Sequence, residues 1–177
     1  MAAAPSNKRG FTLIELLVTL AIAAILLTVA VPNFVIFIQN NRLMNQANDF
    51  VTALSYARSE AVKRGVEITV CSRSTNTQCA GTTNWDSGFL VFVDANRDGD
   101  ASLGEEILQV RGDMQGSNTL RAGASTRISY QSSGFRADPF GNEIFNLCDT
   151  RGAVNGRAIT VSPQGRASVA TGAGACP

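Results

Sequence analysis

The acidic run Asp94-Ala95-Asn96-Arg97-Asp98-Gly99-Asp100, with Glu105 at the twelfth position, satisfies the pattern of a calcium loop. It offers oxygen ligands at alternate positions, a glycine for the sharp turn and a late glutamate able to bind through both oxygens. Asp94, Asn96, Asp98 and Glu105 are its candidate ligands. The segments FLVFV before it and EILQV after it read as strands, where an EF-hand has helices. A polar hairpin loop made of good turn formers explains the same residues. Glu15 is a second chemical signal, because it is the single formally charged side chain in the run 11–38. A carboxylate in lipid costs several kcal/mol unless paired, so an acid there usually marks a function. The alternative is that Glu15 sits at headgroup depth and favours the helix N-terminus through the dipole.

Four cysteines, Cys71, Cys79, Cys148 and Cys176, allow three connectivities. The local scheme, Cys71 with Cys79 and Cys148 with Cys176, is favoured because each bond then fixes a loop or terminus with few apolar residues of its own. Spacings without a close CxxC pair, and a chain with no histidine, argue against zinc. The absence of histidine also removes a Ser-His-Asp triad and a Cys-His pair, so no catalysis is expected. From Arg111 onward, Arg111, Arg121, Arg127, Arg136, Arg151, Arg157 and Arg166 outnumber Asp113, Asp138, Glu143 and Asp149. A basic face of that kind binds nucleic-acid phosphates with a strong salt dependence, whereas ordinary solvated arginines at strand edges do not. The whole chain is formally +1, so global charge calls for no polyanion partner.

The elements that carry these residues follow from periodicity. As a helix, 11–38 would be roughly 42 Å long, enough for the roughly 30 Å hydrocarbon core of a bilayer. Lys8 and Arg9 before it place the N-terminus in the cytoplasm and the remainder across the membrane. Pro32 predicts a bend or local melting of this helix. From 39 to 64 the pattern is amphipathic, with Leu43, Ala47, Phe50, Val51, Leu54, Ala57 and Ala61 at helical spacing, and Gly65 reads as a C-terminal cap. Beyond it, short β-branched and aromatic runs at 67–71, 88–93, 106–111, 127–131, 142–148, 157–162 and 166–170 predict antiparallel strands. Trp85 and Phe89 read as core. The fold class is α+β: a long N-terminal hydrophobic helix packed on an antiparallel β-rich globular domain. Its expected divisions are a leader at 1–10, a transmembrane half-helix at 11–38, an amphipathic half at 39–64 and a globular domain at 65–177.

A cleaved secretory signal has its small-residue cleavage site beyond the apolar core. Here the small-residue junction, Gly10-Phe11, precedes the apolar run, so cutting it would remove a polar leader and keep the helix. Gly10, Phe11 and Glu15, the acid five residues into the trimmed chain, together with Pro32, resemble a type IV prepilin. The segments SYARSEAVKRG, VCSRSTNTQC, NWDSGFLVFVDANRDGD and ITVSPQGRAS resemble the GspH/FimT/FimU group of minor pilins and pseudopilins.

The resemblance implies cleavage between Gly10 and Phe11 by prepilin peptidase and methylation of the new amine. It also implies insertion in the inner membrane with a periplasmic globular domain, and pairing of Glu15 with the amine of a neighbouring subunit. The partners it implies are other major and minor pilins, in a type IV pilus near its tip or in a type II secretion pseudopilus. Some FimT-like members take up DNA and resemble one another in a GRxR motif. This chain offers Gly156-Arg157-Ala158-Ile159 and Gly165-Arg166-Ala167-Ser168, each without the second arginine, leaving Arg157 and Arg166 as the candidate DNA contacts. No cofactor is expected beyond the candidate calcium.

Overall fold

A computed structural model of the chain describes residues 10–101, 104–138 and 141–176. Residues 1–9, which include Lys8 and Arg9 and most of the leader expected at 1–10, lie outside the described residues. The chain divides into two compact units, one ending at Gln39 and one beginning at Asn40. Helix α1, Leu13–Arg64, contributes to both.

In the first unit, α1 starts on a side-chain cap. The Glu15 backbone N–H donates to Thr12 Oγ1 at 3.3 Å, and the Leu16 N–H to the Thr12 carbonyl at 3.2 Å. Thr12-Leu13-Ile14-Glu15 thus follows the spacing of a capping box, with one orphan donor satisfied by the threonine. Further along, the Thr19 and Thr28 hydroxyls donate to the carbonyls of Leu16 and Ile25, which keeps both polar groups within the helix. The helix does not melt at Pro32: α1 is continuous through it, correcting that part of the sequence expectation. Proline removes one N–H, yet the Asn33 side-chain amide donates to the Val29 carbonyl at 2.9 Å one residue later, and the ladder resumes. Every residue from Gly10 to Ile38 is exposed, including Phe11 at 86% and Leu13 at 77%.

The second unit begins with the rest of α1. Its buried residues, Leu43, Ala47, Phe50, Ala53, Leu54, Ala57, Glu60 and Ala61, recur at i+3 and i+4, so one stripe faces the core. The helix from Asn40 onward lies in the same compact unit as the strands. Gly65, at φ 71°, ends the helix by donating its N–H to the Ala61 carbonyl at 3.0 Å. Arg64 then bridges Glu60 and Glu106.

Nine strands follow: β1 Ile68–Thr75, β2 Gln78–Cys79, β3 Phe89–Val93, β4 Ile107–Arg111, β5 Thr119–Ala122, β6 Arg127–Tyr130, β7 Glu143–Cys148, β8 Arg157–Val161 and β9 Ala167–Thr171. One sheet has the order β2-β1-β3-β4, with β6 also on β1, and the other β5-β7-β8-β9. All named pairings are antiparallel. Both sheets and α1 share one core, centred on Phe50, Trp85, Phe89 and Phe145. Phe50 meets the three other rings edge-on, with centroids 4.8–5.6 Å apart. The opposite face of β1 and β3 carries a smaller cluster of Cys71, Leu90, Phe92 and Ala101. Ala101 comes from the acidic loop, so that loop folds back over the sheet.

Candidate functional site

At the head of the first unit, Gly10 and Phe11 precede the helix and both are exposed. A Cβ built on Gly10 meets nothing within 4 Å, so nothing in the described fold requires glycine there. Glu15 lies in the first turn of α1, one turn from Phe11, where the helix dipole favours an acid. Thr12, its cap, is the residue that the sequence reading missed. The T-x-x-E spacing was its signal.

The acidic loop is fixed at its base. Asp94 is 1% exposed. Its Oδ2 accepts from the Thr69 hydroxyl at 2.8 Å and from the Gly99 N–H at 3.0 Å. Thr69 also shares a hydrogen bond with Ser129 Oγ, so β1, β6 and the loop meet in one polar seam. Asn96 Oδ1 accepts from the Asp98 N–H, Asp98 Oδ1 from the Asp100 N–H, and Glu105 Oε1 from the Ala95 N–H. Arg97 and Gly99 have φ of 61° and 74°, and the Arg127 side chain lies so close over Gly99 that any side chain there would collide with it. The candidate ligands thus share one loop. Among the described residues, however, no three acidic or thiol side chains converge as a ready-made metal cage. Across the seam, burial together with the negative charge of Asp94 holds the Glu67 carboxyl above its ordinary range, against the opposing pull of Arg97 and Arg127.

The cysteines pair locally, Cys71 with Cys79 and Cys148 with Cys176, at Cα separations of 5.7 and 5.9 Å. The first bond closes the β1–β2 hairpin. The second returns the end of the chain to β7, and the Gly172 and Ala173 N–H groups donate to the carbonyls of Gly156 and Ala153 in the turn before β8.

The arginines do not form one basic face. Arg121 pairs with Asp86, Arg136 with Asp138 and Arg151 with Asp149. Arg157 is buried, and its Nη1 donates to the carbonyls of Asn155 and Gly156 at 2.9 and 2.8 Å. It occupies the inward register of β8 with Ile159 and Val161, which corrects its reading as a phosphate contact. Arg166 is exposed in the turn before β9, at the other end of the β8–β9 hairpin, so the two are not brought together. Arg166 instead borders an open groove with Arg58 and Lys63 of α1.

An exposed apolar helix that continues into a core of two antiparallel sheets defines a pilin-type subunit. The chain belongs to the Type II transport protein GspH family, which it matches over residues 46–165, and carries the prokaryotic N-terminal methylation motif over residues 5–31. The pilin-like protein PilA1 of Thermus thermophilus is 34% identical over 103 residues, or 57% of this chain. That match spans 58% of the relative's length. The fold is similar to the type IV minor pilin FimU of Pseudomonas aeruginosa PAO1 in two crystal forms. TM-scores are 0.64 and 0.61 at 22% and 21% identity, covering 80% and 76% of this chain and 99% and 100% of those chains. The family is that of GspH-type pilins and pseudopilins, which are structural, non-enzymatic proteins, and the fold is that of a type IV minor pilin.

Proposed function

We propose that the chain is a minor pilin, inserted in the inner membrane with its globular unit in the periplasm, and cut by prepilin peptidase between Gly10 and Phe11. It then enters a type IV pilus, at or near the tip, by packing α1 against the helices of neighbouring subunits. The observation that carries this reading is Glu15, the single acid in the stretch 11–38, whose apolar residues are exposed on every side. A helix of this kind is covered either by lipid or by other helices. In a bundle of such helices the methylated amine of Phe11 is the cation that offsets a desolvated Glu15 of the adjacent subunit.

The experiment is Glu15→Ala in a pilus-forming host. Membrane insertion and trimming should match wild type while the subunit disappears from sheared fibres; wild-type incorporation would overturn the pairing. The GspH family match favours a second assembly, a type II secretion pseudopilus built by the same processing. Deleting the gene separates the two, since pilus number falls in one case and protein secretion in the other. The groove of Arg58, Lys63 and Arg166 supports a further reading, DNA capture through phosphates. Salt-dependent binding that is lost in Arg58→Ala/Lys63→Ala/Arg166→Ala is the result that reading requires.

A further inference from the structure

We propose that the side chains of Asp94, Asn96, Asp98 and Glu105, with the backbone carbonyl of Asp100, bind one calcium ion. Spacing alone does not carry this, since Asp, Asn and Gly also make ordinary turns. The independent observation is Asp94 Oδ1, which is buried and, among the described residues, has no hydrogen-bond partner, whereas Oδ2 has two. None of the ion pairs among the described residues includes Asp94. Two cations at this seam face elsewhere: Arg97 points to Glu67 at 3.9 Å, and Arg127 lies over Gly99. A buried carboxylate without a cation is costly, and the usual remedies are an ion pair or a metal.

Because the Gly99 N–H donates to its other oxygen, the carboxylate lies on the inner side of the loop. Asn96 and Asp98 follow on alternate positions, and each already folds its side chain onto the backbone two residues on. Glu105 returns to the loop's start through the Ala95 N–H. The ion would replace the Asn96 Nδ2 to Asp98 Oδ2 hydrogen bond, which now holds an amide donor against one ligating oxygen. Hard oxygen donors on a flexible loop suit calcium's irregular shell of 6–8 ligands better than magnesium's octahedron. Three acidic ligands and one neutral amide, flanked by strands, match the weaker extracellular modules, so a Kd on the order of 10⁻⁴ to 10⁻³ M is expected.

The test is a calorimetric calcium titration of the full-length protein in detergent, repeated with magnesium. Asp94→Asn disturbs a buried seam, so Asp98→Asn and Glu105→Gln are the informative variants, with Trp85 fluorescence reporting that each is folded. The expected result is one calcium per chain, weaker magnesium binding, and a loss of affinity of at least about tenfold in each variant. No heat at about 10 mM calcium, equal affinity for magnesium, or unchanged binding in both variants would overturn the proposal.

Discussion

Removing the Cys148–Cys176 bond should release the end of the chain from the second unit. The perturbation is Cys148→Ala/Cys176→Ala, because Cys148 is 1% exposed and a serine there would bury an unpaired hydroxyl. The two residues are 28 apart, for which the chain-entropy model gives about 3.6 kcal/mol of stabilisation; the separation of 8 in the Cys71–Cys79 hairpin gives about 2.5 kcal/mol. Without the bond, the tail depends on three hydrogen bonds, from the N–H groups of Gly172, Ala173 and Gly174 to Gly156, Ala153 and Asn146.

Such bonds contribute about 0.5–1.5 kcal/mol each, whereas holding each residue's backbone costs about 1–2 kcal/mol. Ordering five residues from Gly172 to Cys176 therefore costs more than the bonds return, and the tail should fray. Fraying returns entropy to the native state, so 3.6 is a ceiling and a loss of about 2–3.5 kcal/mol is expected. The assay is urea unfolding of the detergent-solubilised protein followed by Trp85 fluorescence, with hydrogen exchange at the three tail amides. Exchange protection that survives, together with a loss under about 1 kcal/mol, would refute the reasoning.

Other expectations concern the core, acid and the arginines. Phe50→Ala removes the ring that touches Trp85, Phe89 and Phe145, and should cost about 3–5 kcal/mol in the same unfolding assay. Burial pushes the Glu143 carboxyl up, but the N–H groups of Ala124 and Ser125, the Ser125 hydroxyl and Arg136 outweigh it and hold it below its ordinary value of 4.5. Its contribution is therefore complete above that value and lost as pH falls through the depressed one. Glu143→Gln should lower stability at pH 7 and flatten the acid limb of a stability-versus-pH curve. Arg157→Ala should cost about 1–3 kcal/mol by removing its bonds to Asn155 and Gly156, while Arg166→Ala stays within about 0.5 kcal/mol; denaturant midpoints for both check this.

Much of the fold could be read because its signals are local. The i+3 and i+4 stripe from Leu43 to Ala61 marks the helix face, and β-branched runs such as FLVFV mark strands. β5, Thr119–Ala122, was not legible: TLRA alternates, but over only four residues, and its identity comes from pairing with β7 and from the Trp85 and Ala122 N–H groups, which close its other edge. β2 is two residues whose pairing depends on the Cys71–Cys79 hairpin. The burial of Arg157 was legible in principle, since it shares parity with Ile159 and Val161. The cysteines marked their own partners by proximity in sequence. The oxygen of Asp94 left without a partner among the described residues has no signature in sequence, because the burial of Asp94 exists only once β1 and the loop close around it.

The proposed function requires that this chain be trimmed at Gly10 and retained in a fibre by the helix that begins with Phe11. The most direct measurement is the N-terminal residue and intact mass of the protein recovered from sheared fibres. Phe11 bearing one N-methyl group is the predicted result, with Gly10→Ala accumulating untrimmed precursor although glycine has no packing role there. A fibre-associated chain that still begins at Met1, or one cut beyond Ile38, would contradict it.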